Sequence, residues 1–310
     1  MNDINSVLIA GAGAIGLLVA ETIYNADPDC VSILANGERL ERYRNNGLWV
    51  NGKRIDFRLA CGEKADLIIV ACKLHHLDQV IEDIRPSVGK DTIILSLLNG
   101  ITSEEIIGRR LGGERLPLAM IIGVDALHHD GKTTYTKKGV IHFGDREGNN
   151  GEREERIAAF FARSGVAFNV DTNMKRALWY KFMVNIGINQ TTAILRLPYG
   201  AFMNSGAPGE IPEARLLAEQ AMREAIAVAN AEGIDLGEGD IANWYKTLNA
   251  INPCGFTSMY QDVLAKRKTE LEMFCLALME IGKKHGIPLP VNETFYLVLR
   301  AIEQGYGARR

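Results

Sequence analysis

Short apolar runs alternate with helical patterns through the first half of the chain. These runs lack a polar side, which is typical of strands buried on both faces of a parallel sheet. We predict such strands over residues 6–10, 31–35, 66–71 and 91–98, with helices between them. A further strand is predicted over 116–124, two antiparallel edge strands over 132–136 and 139–143 around Lys137 and Lys138, a helix over 152–164 and a strand over 167–170.

The second half carries helical patterns and no convincing strand. Residues 176–195 are apolar at every angle of a 3.6-residue period, which indicates one buried helix. Further helices are predicted over 212–231, 239–250, 258–285 and 293–304, separated by proline and glycine. The pattern predicts an α/β chain with a Rossmann-type parallel-sheet domain over residues 1–172 and an all-helical domain over 173–310.

The composition narrows the class of protein. A chain of 310 residues usually forms two domains, and 47% hydrophobic with 24% charged residues is ordinary for a globular protein. The net charge of −3, with both signs interspersed, gives no electrostatic signal for nucleic acid. The apolar stretch over 7–20 lacks a basic leader and is too short to span a bilayer, so we expect neither secretion nor a membrane segment.

The cysteines and histidines do not predict a metal site. The five cysteines are widely spaced without a C-x-x-C pair, which favours free thiols in a reducing cytoplasm. The histidines include the doublets His75-His76 and His128-His129, but adjacent residues on a regular element point in different directions. We therefore expect no bound metal.

A glycine-rich turn follows the first predicted strand and opens the first predicted helix. It reads G-A-G-A-I-G, that is Gly11, Ala12, Gly13, Ala14, Ile15 and Gly16. In this context the three glycines have distinct mechanical roles, which are a tight turn, close approach of a pyrophosphate, and packing of helix against strand. The phosphates would bind the free N–H groups of the helix. The alternative is a tight strand-to-helix turn without a ligand.

The end of the second predicted strand should distinguish NAD from NADP. An acid there binds the ribose 2′-hydroxyl of NAD, whereas an arginine meets the 2′-phosphate of NADP. Residues 35–39 read A-N-G-E-R, so no acid stands at the first two positions, and Arg39 or Arg42 could reach a phosphate. Glu38 complicates this interpretation, and these charges could instead lie on the exposed face of the next helix.

Two polar residues follow later strands. Lys73 comes after the strand over 66–71, and Asn99 comes after the strand over 91–98. Ligands of open parallel sheets bind beyond the carboxyl ends of the strands, so a cofactor and a substrate would meet near these residues. Asn99-Gly100 is also an ordinary strand-to-helix turn.

Three polar residues interrupt the apolar helix over 176–195. Lys181, Asn185 and Asn189 stand four apart, so they fall within a sector of about 80° on a regular helix. The alternative to a ligand site is an internal polar network or a solvated edge.

The predicted helix over 258–285 carries two further candidates, Ser258 and Glu270. Ser258 is interpreted most simply as an N-cap, and Glu270 as an ion-pair partner of Lys266. The serine and the glutamate would lie about 18 Å apart along a regular helix.

Together these motifs resemble the ketopantoate reductase (2-dehydropantoate 2-reductase) family along nearly the whole chain. The resemblance rests on six segments: G-A-G-A-I-G at 11–16, C-K-L-H-H-L at 72–77, L-N-G at 98–100, W-Y-K-F-M-V-N-I-G-I-N-Q-T-T-A at 179–193, S-M-Y-Q-D at 258–262 and K-R-K-T-E at 266–270. The family implies an NADP(H)-binding Rossmann domain and a helical domain, with hydride delivered to a 2-keto acid in the cleft between them. The implied reaction is reduction of 2-dehydropantoate to pantoate in pantothenate biosynthesis.

The resemblance also assigns roles to individual residues. Lys181 matches the catalytic lysine, expected to act as general acid, and Glu270 the glutamate of a conserved motif. The substrate contacts implied are Asn99, Lys181, Asn185, Asn189 and Ser258; the cofactor contacts implied beyond the glycine turn are Asn36, Arg39, Lys73, Asn99, Ala126 and Glu270.

Several positions depart from the family pattern. Asn36 stands where an arginine that binds the phosphate is common, and Gly255 stands where an asparagine often precedes the serine by three residues. Cys275-Leu276 replaces a frequent Asn-Gly, and Asp125 stands where histidine is common. A relative that reduces another 2-keto acid is therefore an alternative. Two further alternatives are a non-catalytic regulator that binds a dinucleotide and a 3-hydroxyacid dehydrogenase. The second does not account for the Thr-Glu motif. The protein could also form a homodimer.

Overall fold

The computed structural model describes residues 3–129 and 131–307 of the chain. The chain divides into two compact units, the first ending at Lys175 and the second beginning at Arg176. The sequence places the division after residue 172, three residues earlier. Each unit is described by itself below.

The described part of the first unit contains ten strands and five α-helices. The strands are β1 Val7–Ala10, β2 Val31–Leu34, β3 Leu48–Val50, β4 Lys53–Ile55, β5 Arg58–Ala60, β6 Ala65–Val70, β7 Val88–Ser96, β8 Leu118–His129, β9 Lys132–Gly144 and β10 Phe168–Val170. The helices are α1 Ala14–Ala26, α2 Gly37–Asn46, α3 Leu77–Ile84, α4 Ser103–Leu111 and α5 Glu152–Ser164, with 3₁₀ turns at Leu74–His76, Arg85–Ser87 and Gly113–Arg115.

The first sheet is parallel and has the strand order β5-β2-β1-β6-β7. The chain moves outward from β1 through β2 to β5 and then returns to place β6 on the other side of β1. This reversal creates a switch point at the carboxyl ends of β1 and β6, where open α/β sheets bind their ligands. The predicted Rossmann-type sheet is confirmed.

A second sheet holds the remaining strands in the order β10-β9-β3-β4, with β8 also paired to β9. The predicted pair of edge strands around Lys137 and Lys138 is wrong, because β9 runs without interruption through both residues. It pairs antiparallel with β8, so that Asp125 lies opposite Lys137 and Val124 opposite Lys138. The register shifts between Asp125 and Ala126, which marks a β-bulge.

The short strands β3, β4 and β5 were not predicted. Each has three residues, too few to show a periodicity. A local signal was nevertheless available, because Asn51-Gly52 connects β3 to β4 with φ of 46° and 77°. Asn-Gly with two positive φ angles is the preferred two-residue hairpin turn.

In the first unit the apolar core joins both sheets with helices α1 and α5. Phe143 on β9 meets Phe161 on α5 edge to face, with ring centroids 5.8 Å apart. Such aromatic contacts add to the burial of two side chains that are almost fully enclosed. This packing supports the strands whose carboxyl ends carry the candidate cofactor site.

The described residues of the second unit form helices, turns and loops and contain no strand, as predicted. Its helices are α6 Met174–Val184, α7 Gln190–Leu195, α8 Pro212–Ala231, α9 Glu238–Leu248, α10 Ser258–Leu264, α11 Ala277–Lys284 and α12 Pro290–Gln304, with a 3₁₀ turn at Tyr199–Phe202 and π-helical turns at Asn185–Asn189 and Glu272–Leu276. No described helix is long and apolar enough to cross a membrane.

Two predicted helices differ from the observed ones. The helix predicted over 176–195 begins at Met174 and contains the π-helical turn Asn185–Asn189. The single helix predicted over 258–285 is wrong, because α10 ends at Leu264 and Lys266 adopts a left-handed φ of 52°. Arg267 then folds back, donating its backbone N–H to the Asp262 carbonyl at 2.8 Å and its Nε to the Asp262 carboxylate at 2.9 Å.

Candidate active site

The three glycines of the glycine turn have different surroundings. Gly11 has φ of +127°, and a Cβ there would lie 2.5 Å from the Ala71 carbonyl oxygen. A Cβ on Gly16 would lie 1.8 Å from the Gly11 carbonyl oxygen, so these two glycines are required by the fold. A Cβ on Gly13 would meet no described protein atom within 4 Å. Gly13 therefore leaves open space, as expected for the residue beside the phosphates.

The electrostatics of α1 also suit an anion. Gly13 is the N-cap and supplies no side-chain cap, and no acidic residue lies in the first helical turn. The backbone N–H groups of Ala14, Ile15 and Gly16 belong to the first turn, where a helix offers donors that have no intrahelical partner. These donors and the positive end of the helix dipole would hold the phosphates of a dinucleotide.

The region after β2 lacks the acid expected of an NAD site. Asn36 is the N-cap of α2 and its side chain makes no capping hydrogen bond, while Gly37 has φ of +47°. The guanidinium of Arg39 is partly exposed and lies 4.0 Å from a carboxylate oxygen of Asp83. That oxygen is buried and makes no hydrogen bond within the described residues, so the contact is a long ion pair. Asn36 and Arg39 therefore lie at the start of α2, directly after β2.

Lys73 and Asn99 both follow strands that border the switch point. The Ala71 N–H donates to the Ala10 carbonyl at 2.9 Å, and the Leu97 N–H donates to the Val70 carbonyl at 2.8 Å. These bonds hold the segments after β1, β6 and β7 side by side. Lys73 and Asn99 are half-buried on those segments, close in topology to the glycine turn.

Cys72 directly precedes Lys73, and Ala126 lies on β8. Burial raises the pKa of the Cys72 thiol to about 11, so the thiol beside Lys73 stays neutral and unreactive at physiological pH. Ala126 is half-buried on β8 directly after the bulge and pairs with Tyr135. A bulge changes the direction in which the following side chain points, so the position of Ala126 is set by β8 rather than by the first sheet.

In the second unit, the predicted polar stripe lies where α6 passes into the π-helical turn. Lys181 is half-buried in the last turn of α6, Asn185 is buried and Asn189 is half-buried. The Asn189 side-chain amide donates to the Asn185 side-chain carbonyl at 3.4 Å. The two amides therefore share one face of the turn.

Ser258 is the first residue of α10 rather than its N-cap, so the predicted capping role is wrong. Thr257 is the N-cap, and its hydroxyl oxygen accepts from the Tyr260 N–H at 3.2 Å. Since Thr257 performs the capping, the exposed hydroxyl of Ser258 is not required for it. A chain of hydroxyls connects this helix start to the polar stripe: Thr257 lies 2.6 Å from Thr192, which donates to the Asn189 carbonyl at 3.0 Å.

Glu270 does not lie on a helix with Ser258, and the separation of about 18 Å along a regular helix does not apply. It is half-buried in the segment that precedes the second π-helical turn. Its neighbour Thr269 is buried, and the Thr269 N–H and hydroxyl both donate to a Glu303 oxygen, at 2.8 and 2.6 Å. The Glu270 carbonyl accepts from the Met273 N–H at 3.0 Å. Its position is therefore fixed by long-range contacts.

Sequence reasoning missed the residues that support the candidates. Thr192, Thr257, Thr269 and Glu303 hold the polar stripe, the start of α10 and the Thr-Glu motif. The pair Thr257-Ser258 at the start of α10 was a usable signal, because either residue type can serve as N-cap. Nothing local indicated Glu303, which lies 34 residues from its partner.

Comparison with known proteins gives consistent matches over both units. Residues 7–148 match the model described as "Ketopantoate reductase PanE/ApbA", and residues 173–303 match "Ketopantoate reductase PanE/ApbA C terminal". A 2-dehydropantoate 2-reductase from Pyrococcus horikoshii is 28% identical over 314 residues, covering 98% of this chain and 99% of that protein.

Solved structures share the fold. A ternary structure of D-mandelate dehydrogenase with NADH and anilino(oxo)acetate has a TM-score of 0.85 at 24% identity, covering 97% of this chain and 99% of that one. A dimeric ketopantoate reductase from Staphylococcus aureus has a TM-score of 0.81 at 22% identity, covering 97% of this chain and 100% of that one.

Proposed function

The chain belongs to the ketopantoate reductase family, and on that premise we propose that it reduces 2-dehydropantoate to pantoate with NADPH. The observation that carries the proposal is the presence in one chain of the open glycine turn at Gly13 and the lysine-amide stripe of Lys181, Asn185 and Asn189. The first suits a dinucleotide. The lysine-amide stripe suits a small 2-keto acid whose carbonyl oxygen gains negative charge during reduction.

The proposed chemistry needs one hydride and one proton. The glycine turn would hold NADPH, which would supply the hydride that converts the 2-keto carbonyl group to an alkoxide. The Lys181 ammonium stabilises that charge and donates its proton to the oxygen, and the neutral lysine regains a proton from solvent. A positioned general acid of this kind contributes typically 10²–10⁴-fold to the rate.

The other candidates hold and orient the substrate. The amides of Asn99, Asn185 and Asn189 and the hydroxyl of Ser258 can donate to carboxylate and carbonyl oxygens without adding a group that titrates. Glu270 would orient the lysine and accept a hydrogen bond from the product hydroxyl. Lys181 and Glu270 are thus the two catalytic residues of the proposed enzyme.

The preference for NADPH rests on the region after β2. Neither Ala35 nor Asn36 offers a carboxylate for a ribose 2′-hydroxyl, and Arg39 is the nearby cation. NADH is the alternative cofactor, since the mandelate dehydrogenase that shares this fold was solved with it. The five free cysteines favour the cytoplasm as the location of the proposed enzyme.

A second candidate function is reduction of a bulkier 2-keto acid, and the aromatic residues near Ser258 favour it. A Cβ at Gly255 would lie 3.1 Å from the Asn252 carbonyl oxygen and 3.2 Å from Cδ2 of Tyr199, so a side chain there would require these neighbours to shift by a few tenths of an ångström. The next residue, Phe256, is 42% exposed and meets Tyr260 edge to face with centroids 4.9 Å apart. Aromatic side chains therefore lie two residues to either side of Ser258 in the chain. The fold shared with a mandelate dehydrogenase is compatible with an aryl substrate.

The test follows oxidation of NADPH and NADH at the reduced-nicotinamide absorbance band with a panel of 2-keto acids. The panel contains 2-dehydropantoate, phenylglyoxylate and a small unbranched acid. The proposal predicts the highest kcat/KM for 2-dehydropantoate with NADPH. A tenfold or greater preference for the aryl acid would replace it with the second candidate. Tight nucleotide binding without turnover of any acid would instead support a non-catalytic regulator.

A further inference from the structure

The π-helical turn Asn185–Asn189 is held by the three residues that follow it. The Gln190 amide donates to the Ile186 carbonyl at 2.8 Å, and the Thr191 hydroxyl donates to the Gly187 carbonyl at 2.6 Å. The Thr192 hydroxyl donates to the Asn189 carbonyl at 3.0 Å. A π-helical turn changes the usual i to i−4 pairing, so side-chain donors at these carbonyls satisfy groups that the altered register affects.

Gln190 differs from the two threonines because other elements hold its amide. Its Oε1 accepts a hydrogen bond from the Cys275 thiol, which lies in the second π-helical turn. Its Nε2 lies 3.2 Å from the Asn292 side-chain oxygen on α12. Gln190, Cys275 and Asn292 are all fully buried, and burial keeps the pKa of the thiol raised, so the thiol remains a donor.

The network continues to a charged group that fixes its direction. The Asn292 amide donates to the Glu224 carboxylate at 2.7 Å, and the same carboxylate accepts from the N–H groups of Val291 and Asn292 at 2.8 and 3.0 Å. Since Asn292 uses its nitrogen toward Glu224, its oxygen faces Gln190. Gln190 must then present its nitrogen to Asn292 and its oxygen to Cys275.

The backbone of the π-helical turn packs closely against α8, which leaves no room for it to move in that direction. A Cβ on Gly187 would lie 2.5 Å from Met222 side-chain atoms and 2.8 Å from the Ala218 carbonyl oxygen. The backbone at Gly187 is therefore in close contact with α8. A change from π to α pairing would rotate every residue on one side of the turn by about 100° relative to the other side. The residues of α7, after the turn, would then change their orientation relative to Lys181, before it.

We propose that Gln190 is a positioning residue for the 2-keto acid: it holds the π-helical turn and thereby fixes how the Asn185 and Asn189 amides are presented to the substrate. This inference rests on the proposed function for the identity of the ligand. Gln190 itself is buried and does not touch the substrate. Cys275 and Asn292 act through Gln190, and their role is to fix its amide.

The first experiment compares Gln190→Met with Asn230→Ala as a matched control. Methionine keeps the length of the side chain and removes both polar atoms. Asn230 makes two hydrogen bonds of 3.2 Å to Leu236 in the same unit, near the end of α8 and apart from the hydrogen bonds that hold the π-helical turn. We expect Gln190→Met to raise KM for the 2-keto acid about tenfold or more while the Kd for NADPH changes less than twofold. We expect Asn230→Ala to lower Tm with KM unchanged.

A second pair of variants supports the test if Gln190→Met fails to fold. Cys275→Ala removes the donor to Gln190, whereas Cys275→Ser restores a donor of similar size. We expect KM to rise in Cys275→Ala and to return to within about threefold of the wild-type value in Cys275→Ser. Equal KM values in wild-type protein and Cys275→Ala would overturn the proposal, as would an unchanged KM in folded Gln190→Met or the same KM rise in Asn230→Ala.

A structural measurement separates this inference from the proposed function. If the wild-type protein reduces no 2-keto acid, the proposed function fails by itself. Crystal structures of wild-type protein and Gln190→Met then decide the inference: it stands if the π-helical turn or the Asn189 side chain changes in the variant. It is overturned if both keep their wild-type positions.

Discussion

Replacement of Gly13 by alanine should remove cofactor binding and leave the fold intact. The added Cβ would meet no described protein atom within 4 Å, and Gly13 has φ of −90°, which alanine adopts without strain. Alanine is a poorer N-cap than glycine, but it also restricts the unfolded chain. These opposing effects should keep the free energy of unfolding within about 1 kcal/mol of the wild-type value.

The same geometry also gives the expected loss of binding affinity for the cofactor. The Cβ would occupy the space beside the N–H groups of Ala14, Ile15 and Gly16, where the pyrophosphate is expected. Displacing a phosphate from two charge-assisted hydrogen bonds, each worth about 1.5–3 kcal/mol, costs at least about 3 kcal/mol. That corresponds to a rise in Kd of about 10²-fold. NADPH and NADH should be affected alike because they share the pyrophosphate.

The assay combines nucleotide titration, read by quenching of intrinsic tryptophan fluorescence or by calorimetry, with thermal melting followed by circular dichroism. Gly16→Ala is the contrasting control. Its Cβ would lie 1.8 Å from the Gly11 carbonyl oxygen, so this variant should lose thermal stability through a clash within the protein. Folded Gly13→Ala that binds NADPH within twofold of wild-type affinity would refute the placement of the phosphates. A large loss of Tm in Gly13→Ala would refute the claim that the space is open.

Three further predictions concern single side chains. Lys181→Ala should lower kcat by about 10²-fold or more in a folded protein, and near-normal turnover would end its assignment as general acid. Arg39→Ala should raise the Kd for NADPH about tenfold more than that for NADH, since only NADPH carries the 2′-phosphate; equal changes would show that Arg39 does not bind it. Burial and the Glu21 carboxylate, which accepts from the Tyr135 hydroxyl at 2.6 Å, raise the pKa of Tyr135 to about 12. Because the folded state favours the protonated phenol, this contribution to stability is complete below about pH 10 and is lost as the pH rises toward 12. Tyr135→Phe should therefore lose less stability than the wild-type protein between about pH 10 and 12 in alkaline denaturation, and identical pH profiles would contradict the reasoning.

Elements with strong local signals were predicted closely. The helices over 152–164 and 212–231 have the predicted bounds, since apolar periodicity and terminal breakers mark both. The predicted strand over 66–71 is β6, shifted by one residue. These patterns are local, and nothing elsewhere in the described chain opposes them.

Errors arose where distant contacts override the local pattern. The apolar periodicity over 258–285 continues past Leu264, yet the chain turns at Lys266 because Arg267 binds Asp262 and Thr269 binds Glu303. The basic residues Lys137 and Lys138 resemble a turn, yet β9 continues because β8 pairs with it along this stretch. In both places the free energy of a tertiary contact exceeds a modest local preference.

The sequence by itself determined the parallel sheet, the helical second half, the glycine turn and the identity of the polar residues proposed for chemistry, because spacing along a strand or helix expresses each of them. Only the tertiary structure decided how those polar residues are presented. The π-helical turn that carries Asn185 and Asn189 is followed by Gln190, which contacts Cys275 and Asn292, 85 and 102 residues away in the chain. Hydrogen bonds over such separations form only after the helices have packed, so no pattern within a single element could have revealed them.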